Sequence, residues 1–120
     1  MTIPVSVDQL AQVLGRFGPG YLLTLQGPDV DGPAVKVHAV DPIFDDGHLV
    51  VPCGHHSALD NAGRDPRVTI VWPPLVHHGH SLIVDGHAAV CQDRLVVDVL
   101  GAILHRPSAH RDGPEWVFGD

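Results

Sequence analysis

Residues Gly47–Trp72 read GHLVVPCGHHSALDNAGRDPRVTIVW, and the folding of this stretch governs how the rest of the chain is arranged around it. A strand is expected over His48 to Pro52, a tight polar turn over Cys53 to His56, then a short helix, then a second strand over Val68 to Trp72. Ser57 followed three residues later by Asp60 has the pattern of a helix start. Asp65-Pro66 stops the helix, because the residue before a proline is pushed out of helical conformation. A helix N-terminus is thereby aimed beyond Gly54. Its first N–H groups have no internal partner and carry partial positive charge, so a phosphate or carboxylate is stabilised there, and Gly54 permits close approach. A capped connection that binds nothing has the same local pattern.

Working outward, Asp45-Asp46-Gly47 predicts a hairpin turn into this stretch. Before it, Ala34-Val35-Lys36-Val37-His38-Ala39-Val40 has a period of two, with Val35, Val37 and Ala39 on one face and Lys36 and His38 on the other. With the first face as core, Lys36 and His38 stand side by side, available either to an anionic ligand or to solvent. Tyr21 to Gln26 is a compact apolar strand, and Gly27 to Pro33 is a turn region rich in Gly, Pro and Asp. The chain begins with a helix: Ser6 and Gln9 form a capping box, Val5 and Leu10 a staple, and Val7, Leu10, Ala11, Leu14 and Phe17 recur at helical spacing up to Gly18-Pro19-Gly20.

After Trp72, Pro73-Pro74 ends the strand. His77, His78 and His80 then invite a metal reading, with His55-His56 elsewhere. Adjacent histidines point to opposite sides of an extended chain, however, and no Cys or carboxylate stands at ligand spacing beside them, so no metal site is assigned. Ser81 to Val90 is a strand in which Gly86 marks a bulge or a close contact. Arg94 to Arg106 carries two signals. Leu95, Val96, Val99, Leu100, Ile103 and Leu104 form a helical stripe, while four β-branched residues and Gly101 oppose a helix. In the tail from Ser108 to Asp120, Trp116 and Phe118 predict a segment pinned to the body.

The 120 residues suffice for one domain, 1–120, and the 13 Gly and 11 Pro are spread among turn positions. A net charge of −7 has the wrong sign for a nucleic-acid partner, which requires a basic face. The apolar runs are far shorter than the roughly 20 residues that span a bilayer. Met1 to Gly20 lacks the basic start and apolar stretch of a signal peptide, so a cytoplasmic location with no membrane partner is expected. Cys53 and Cys91 have no C-x-x-C spacing and are expected to be free thiols.

The succession GYLLTLQ, GPDVDGPAVKVHAV, DGHLVVPCG, NAGRDPRVTIVW, SLIVDGHAAV and AILHRP, from about Gly20 to Pro107, resembles the pyridoxamine 5′-phosphate oxidase-like family of split β-barrels. The most specific pieces are Asn-x-x-x-Asp-Pro-Arg-Val (Asn61, Asp65 to Val68) and Val-Asp-Gly-x-Ala (Val84 to Ala88). Both identify a fold more firmly than an activity. The resemblance implies a mainly β fold, a six-stranded antiparallel split barrel of Greek-key character with two short helices, and it makes 94–106 a strand. Such a barrel fills its interior with side chains, so a cofactor lies outside it.

By the same resemblance the cofactor is FMN or the deazaflavin coenzyme F-420, held in the groove between the two barrels of a homodimer. The reaction is then hydride transfer between that cofactor and a small molecule that the sequence does not name. The cofactor-binding set implied is Lys36, Val37, His38, Pro52, Cys53, Gly54, His55, His56, Ser57 and Asn61; catalytic residues stay unassigned. One departure stands out. FMN-binding members often carry a Lys or Arg near the start of the helix, where this chain has Ser57, Ala58 and Asp60. Two other readings therefore stay open: a cofactor-free protein binding haem or a small ligand on the same scaffold, and a His-rich metal binder.

Overall fold

The computed structural model describes residues 2–106, whose strands form one antiparallel sheet accompanied by two helices. In chain order these are β1 (Thr2–Val5), α1 (Val7–Leu14), β2 (Gly20–Leu25), β3 (Val35–Val40), β4 (Ile43–Asp45), β5 (His48–Pro52), α2 (His56–Arg64), β6 (Arg67–Trp72), β7 (Ser81–Cys91) and β8 (Arg94–His105). The sheet order is β3-β2-β6-β7-β8-β5-β4, and β1 pairs with the far end of β8. β3 ends at Val40 and β4 begins at Ile43, so Asp41 and Pro42 alone join the two edge strands of this path. That short tether obliges the sheet to curl on itself. No ladder joins β3 to β4 among the described residues, and the barrel stays split.

Eight strands are present where six were expected. The two additions are short. β4 has three residues between Pro42 and the Asp46-Gly47 turn, too few for an alternating pattern to register. β1 is defined by its register against β8, Thr2 opposite His105 through Val5 opposite Ala102, a pairing across the whole chain that leaves no local trace. The turn itself is as expected, with Asp46 and Gly47 both at positive φ (50° and 80°), the backbone that a two-residue hairpin requires.

The segment with conflicting signals is a strand, as the resemblance implied, with a bulge in its middle. β7 and β8 slip register between Asp85 and Gly86: Gly86 faces Val99, Asp85 faces Gly101, and Leu100 is the extra residue, 64% exposed. Leu95, Val97 and Val99 therefore share one face with Ala102 and Leu104 beyond the bulge. Gly86 is the close approach expected of it. A Cβ there would lie 2.5 Å from Val97 Cγ1 and 2.6 Å from the Asp98 carbonyl oxygen.

The core inside the curl gathers Leu22, Ile70, Trp72, Leu82, Leu95 and Val97, with Leu10 inserted from α1 and Ala58 and Ala62 from α2. Val68, Ile70 and Trp72 all face inward, as their alternation predicts. At α1, the Ser6 N–H and hydroxyl both donate to Gln9 Oε1 (3.0 and 3.1 Å), and the staple residues Val5 and Leu10 are buried. The helix is shorter than its stripe suggested, ending at Leu14 with Gly15 as C-cap. The expectation of a pinned tail at Trp116 and Phe118 lies outside the described residues.

Candidate functional site

The register of β3 decides what surrounds the start of α2. β3 pairs with β2 so that Lys36 lies opposite Thr24 and His38 opposite Leu22, while Val35, Val37 and Ala39 lie opposite Leu25, Leu23 and Tyr21. Leu22 and Thr24 are fully buried. Lys36 and His38 therefore share the inner face of the curl, and the expected core face of Val35, Val37 and Ala39 is the outer one. Val37 is 52% exposed on that outer face, opposite to Lys36 and His38. β3 is an edge strand, and on its inner face Lys36 is exposed and His38 partly so.

α2 begins one residue earlier than its Ser57–Asp60 pattern suggested. His55, in extended conformation, is the N-cap, and its carbonyl accepts from the N–H groups of Ala58 and Leu59. No side chain caps the helix, which leaves the N–H groups of His56 and Ser57 in its first turn. Ser57, in the helix instead of capping it, brings its hydroxyl to His38 Nε2 at 3.1 Å. The His38 and His55 rings stack, with centroids 4.4 Å apart and planes 29° from parallel.

Burial, then the neighbouring His55, then Lys36 push the His38 imidazole below its ordinary pKa of 6.5, so the ring is neutral at pH 7. Its Nδ1 is buried and has no partner among the described residues. His38, His55 and Ser57 thus meet at one helix N-terminus, with His56 in its first turn and Lys36 on the strand face of His38. Pro52 and Gly54 flank them on the surface, with open space where a Gly54 side chain would stand. Cys53 is turned inward, 4% exposed, with its N–H donating to the Asp93 carbonyl (3.2 Å). Both cysteines are free thiols.

Asn61 takes a different place from the others. It is 4% exposed, donates to Thr24 Oγ1 (3.1 Å) and accepts from Arg64 Nη2 (3.0 Å), which also donates to the Leu25 carbonyl. Arg64 lies against Gly27, where a Cβ would come within 2.9 Å of Nε. The network clamps α2 on β2 and so holds the first turn of α2 beside β3. Asp65 belongs to the same framework: it takes two hydrogen bonds from the Arg67 guanidinium, which hold its carboxyl at about 2, well below the ordinary value. Thr24 and Arg64 are the positioning residues that the sequence reading passed over. Their signals were a polar residue at an inward position of GYLLTL and an arginine three residues after Asn61 on a helix.

His77 and His78 meet edge to face, and among the described residues no three His, Cys, Asp or Glu side chains converge as metal ligands. No helix among these residues is long and apolar enough to cross a membrane. The outer sheet face is the other notable surface. Tyr21, Val35, Val37 and Leu100 are 39–64% exposed there, around a depression of about 370 Å³ lined by Leu23, Leu25, Arg67 and Thr69.

No protein-family model matches the chain. The uncharacterised protein Mb0449c of Mycobacterium bovis is 31% identical over 135 aligned positions that cover 96% of this chain and 89% of the relative, and protein MT0457 of Mycobacterium tuberculosis matches equally. Among solved structures, an FAD-binding protein of Mesorhizobium loti superposes with a TM-score of 0.64 over 88% of this chain and 98% of its own, at 13% identity. A Listeria innocua protein named for pyridoxamine 5′-phosphate oxidase gives 0.58 over 79% and 92%, at 15% identity. General Stress Protein 26 of Bacillus anthracis gives 0.57 over 79% and 88%, at 10% identity. At such identities these likenesses concern the fold alone. The chain belongs to the family of the mycobacterial proteins Mb0449c and MT0457, and its fold is that of the pyridoxamine 5′-phosphate oxidase-like split barrels.

Proposed function

We propose that this protein binds a flavin-type cofactor, FMN or coenzyme F-420, and serves as an oxidoreductase for a small molecule. The observation that carries this reading is the meeting of the α2 N-terminus with Lys36 and His38 on the inner face of an edge strand. The backbone N–H groups of His56 and Ser57 and the Lys36 ammonium supply the anion-binding part. The neutral His38 ring supplies the part that suits a heterocycle: its orphaned Nδ1 is a buried polar atom awaiting a partner, held in orientation by Ser57 on one side and the stacked His55 on the other. Once bound, the cofactor itself provides the hydride chemistry, and the protein's residues bind, orient and shield it. That Mesorhizobium loti neighbour, described as FAD-binding, supports the reading.

A second copy of the chain is the proposed cover for the outer sheet face. Tyr21, Val35, Val37 and Leu100 are exposed apolar side chains of that face, the kind that gathers at an interface, with Arg67, Asp85 and His87 among them. Because β3 is an edge strand with Val35 and Val37 on the covered face and Lys36 and His38 on the other, the cofactor site would lie at the rim of that interface. One feature favours a cofactor-free binding protein instead: the first turn of α2 has no lysine or arginine, so Lys36 is the lone permanent cation in the cluster.

Purification from a host that makes both cofactors, followed by mass analysis of released small molecules and by sedimentation, separates these readings. One FMN or F-420 per chain in a dimer supports the proposal. A colourless protein that also fails to take up either cofactor on titration leaves the cofactor-free reading, and a monomer at micromolar concentration removes the shared site.

A further inference from the structure

A second concave site lies between β1, α1 and residues 73–80 and shares no residue with the cluster at α2. Its volume is about 630 Å³, within the roughly 300–1,000 Å³ typical of small-molecule sites. Val5, Val13, Phe17, Leu75, Val76 and Leu104 make the walls. Leu75 and Val76 are each 69% exposed at the rim, two adjacent apolar side chains presented to whatever enters.

The wall they stand on is built to a fixed shape. Gly79 donates its N–H to the Val76 carbonyl (3.0 Å) and sits so close to Pro74 and Val76 that a Cβ would come within 2.9 Å of each. The polar lining consists of Gln9, Gln12, Arg16 and His80. Arg16 is its permanent charge; among the described residues, His80 presents an Nε2 that is buried and without a partner, and no acidic side chain lines the groove. In a chain of net charge −7, an apolar cleft whose charged lining is cationic is complementary to an anion with an apolar body.

We propose that this groove binds a medium-chain alkyl carboxylate, with the chain along Val13, Phe17 and Leu104 and the carboxylate at Arg16 and His80. The free small molecule is the ligand, and the site is independent of any cofactor bound at α2.

The test is calorimetric titration of the full-length protein with dodecanoate and with 1-dodecanol, which keeps the chain and lacks the charge. Dodecanoate should bind about tenfold more tightly, the usual size of one charge-assisted contact. Arg16→Gln should lower dodecanoate affinity to that of dodecanol and leave dodecanol unchanged, while Leu75→Glu should weaken both. Both residues are exposed, so melting temperatures of the variants should match the parent and separate lost binding from lost folding. Equal affinities for acid and alcohol, no binding of either, or no effect of Arg16→Gln would overturn the proposal. So would binding that arises only in the double variant Trp116→Ala/Phe118→Ala, which would give the groove to the chain's own residues 107–120. Retention on anionic phospholipid vesicles without uptake of free dodecanoate would overturn it in favour of a membrane surface.

Discussion

Asn61 Nδ2 donates to Thr24 Oγ1 across 3.1 Å, with both side chains buried, and this bond ties α2 to the strand beside β3. Asn61→Leu keeps the branched outline of the side chain but leaves the Thr24 hydroxyl and the Arg64 guanidinium short of a partner, at a cost of about 1–3 kcal/mol. Adding Thr24→Val should recover part of that loss, because two apolar groups facing each other leave less unsatisfied. Urea unfolding of the two single variants and the double variant measures the coupling, and strict additivity would show that the bond contributes nothing.

At Gly86 the constraint is steric. Its missing side chain makes room for Val97 Cγ1 and the Asp98 carbonyl at the bulge, both within 2.6 Å of where a Cβ would stand. Gly86→Ala should therefore destabilise the protein by about 1–3 kcal/mol, as overpacking in a close-fitted core does. Gly54→Ala, where a Cβ meets nothing within 4 Å, is the matched control and should change the unfolding midpoint little.

Removing the charge at Lys36 tests the inner-face cation. Lys36→Met should lower affinity for FMN or F-420 by roughly one to two decades, the size of a charge-assisted hydrogen bond. Lys36 is exposed, so the unliganded protein should lose less than about 0.5 kcal/mol. Fluorescence titration with a parallel melting curve reads both quantities. Unchanged affinity with a large fall in stability would reassign Lys36 to a structural role.

The backbone contribution at α2 is isolated by proline at the first helical position. His56 follows His55, whose extended conformation (φ −97°, ψ 110°) accepts a following proline, so His56→Pro keeps the helix and removes one N–H. Cofactor affinity should fall further in His56→Pro than in His56→Ala. Equal losses in the two variants would place the contact in the imidazole.

His38 makes stability depend on pH. Its folded pKa lies below 6.5, so as pH falls through 6.5 the unfolded chain takes up a proton that the folded chain resists. The contribution of the neutral ring is present above pH 6.5 and is lost towards the depressed value. Urea midpoints should fall between pH 7 and pH 5.5, and His38→Gln should flatten part of that slope. An identical slope in the variant would show that His38 titrates alike in both states.

Local rules carried much of this protein. The Asp46-Gly47 turn, the inward alternation of Val68, Ile70 and Trp72 and the Ser6–Gln9 box each depend on residues within a few positions of one another, and all stand in the structure. The strand-turn-helix-strand of residues 47–72 was legible for the same reason, to within a residue or so at each end.

What the tertiary structure alone decided is which side each pattern faces. Alternation in Ala34–Val40 separates Lys36 and His38 from Val35, Val37 and Ala39, but a period of two is the same whichever face is buried. The pairing of Lys36 with Thr24 settles it, and a shift of one residue would have reversed it. The bulge at Leu100 is one that only the partner strand reveals, and β1 exists only by pairing with residues about a hundred positions away. Asn61 enters the cofactor-binding set through the resemblance alone. One turn further along α2 it faces the barrel wall, where Thr24 claims its amide. Register and bulges are set by contacts between distant strands, and no local periodicity encodes them.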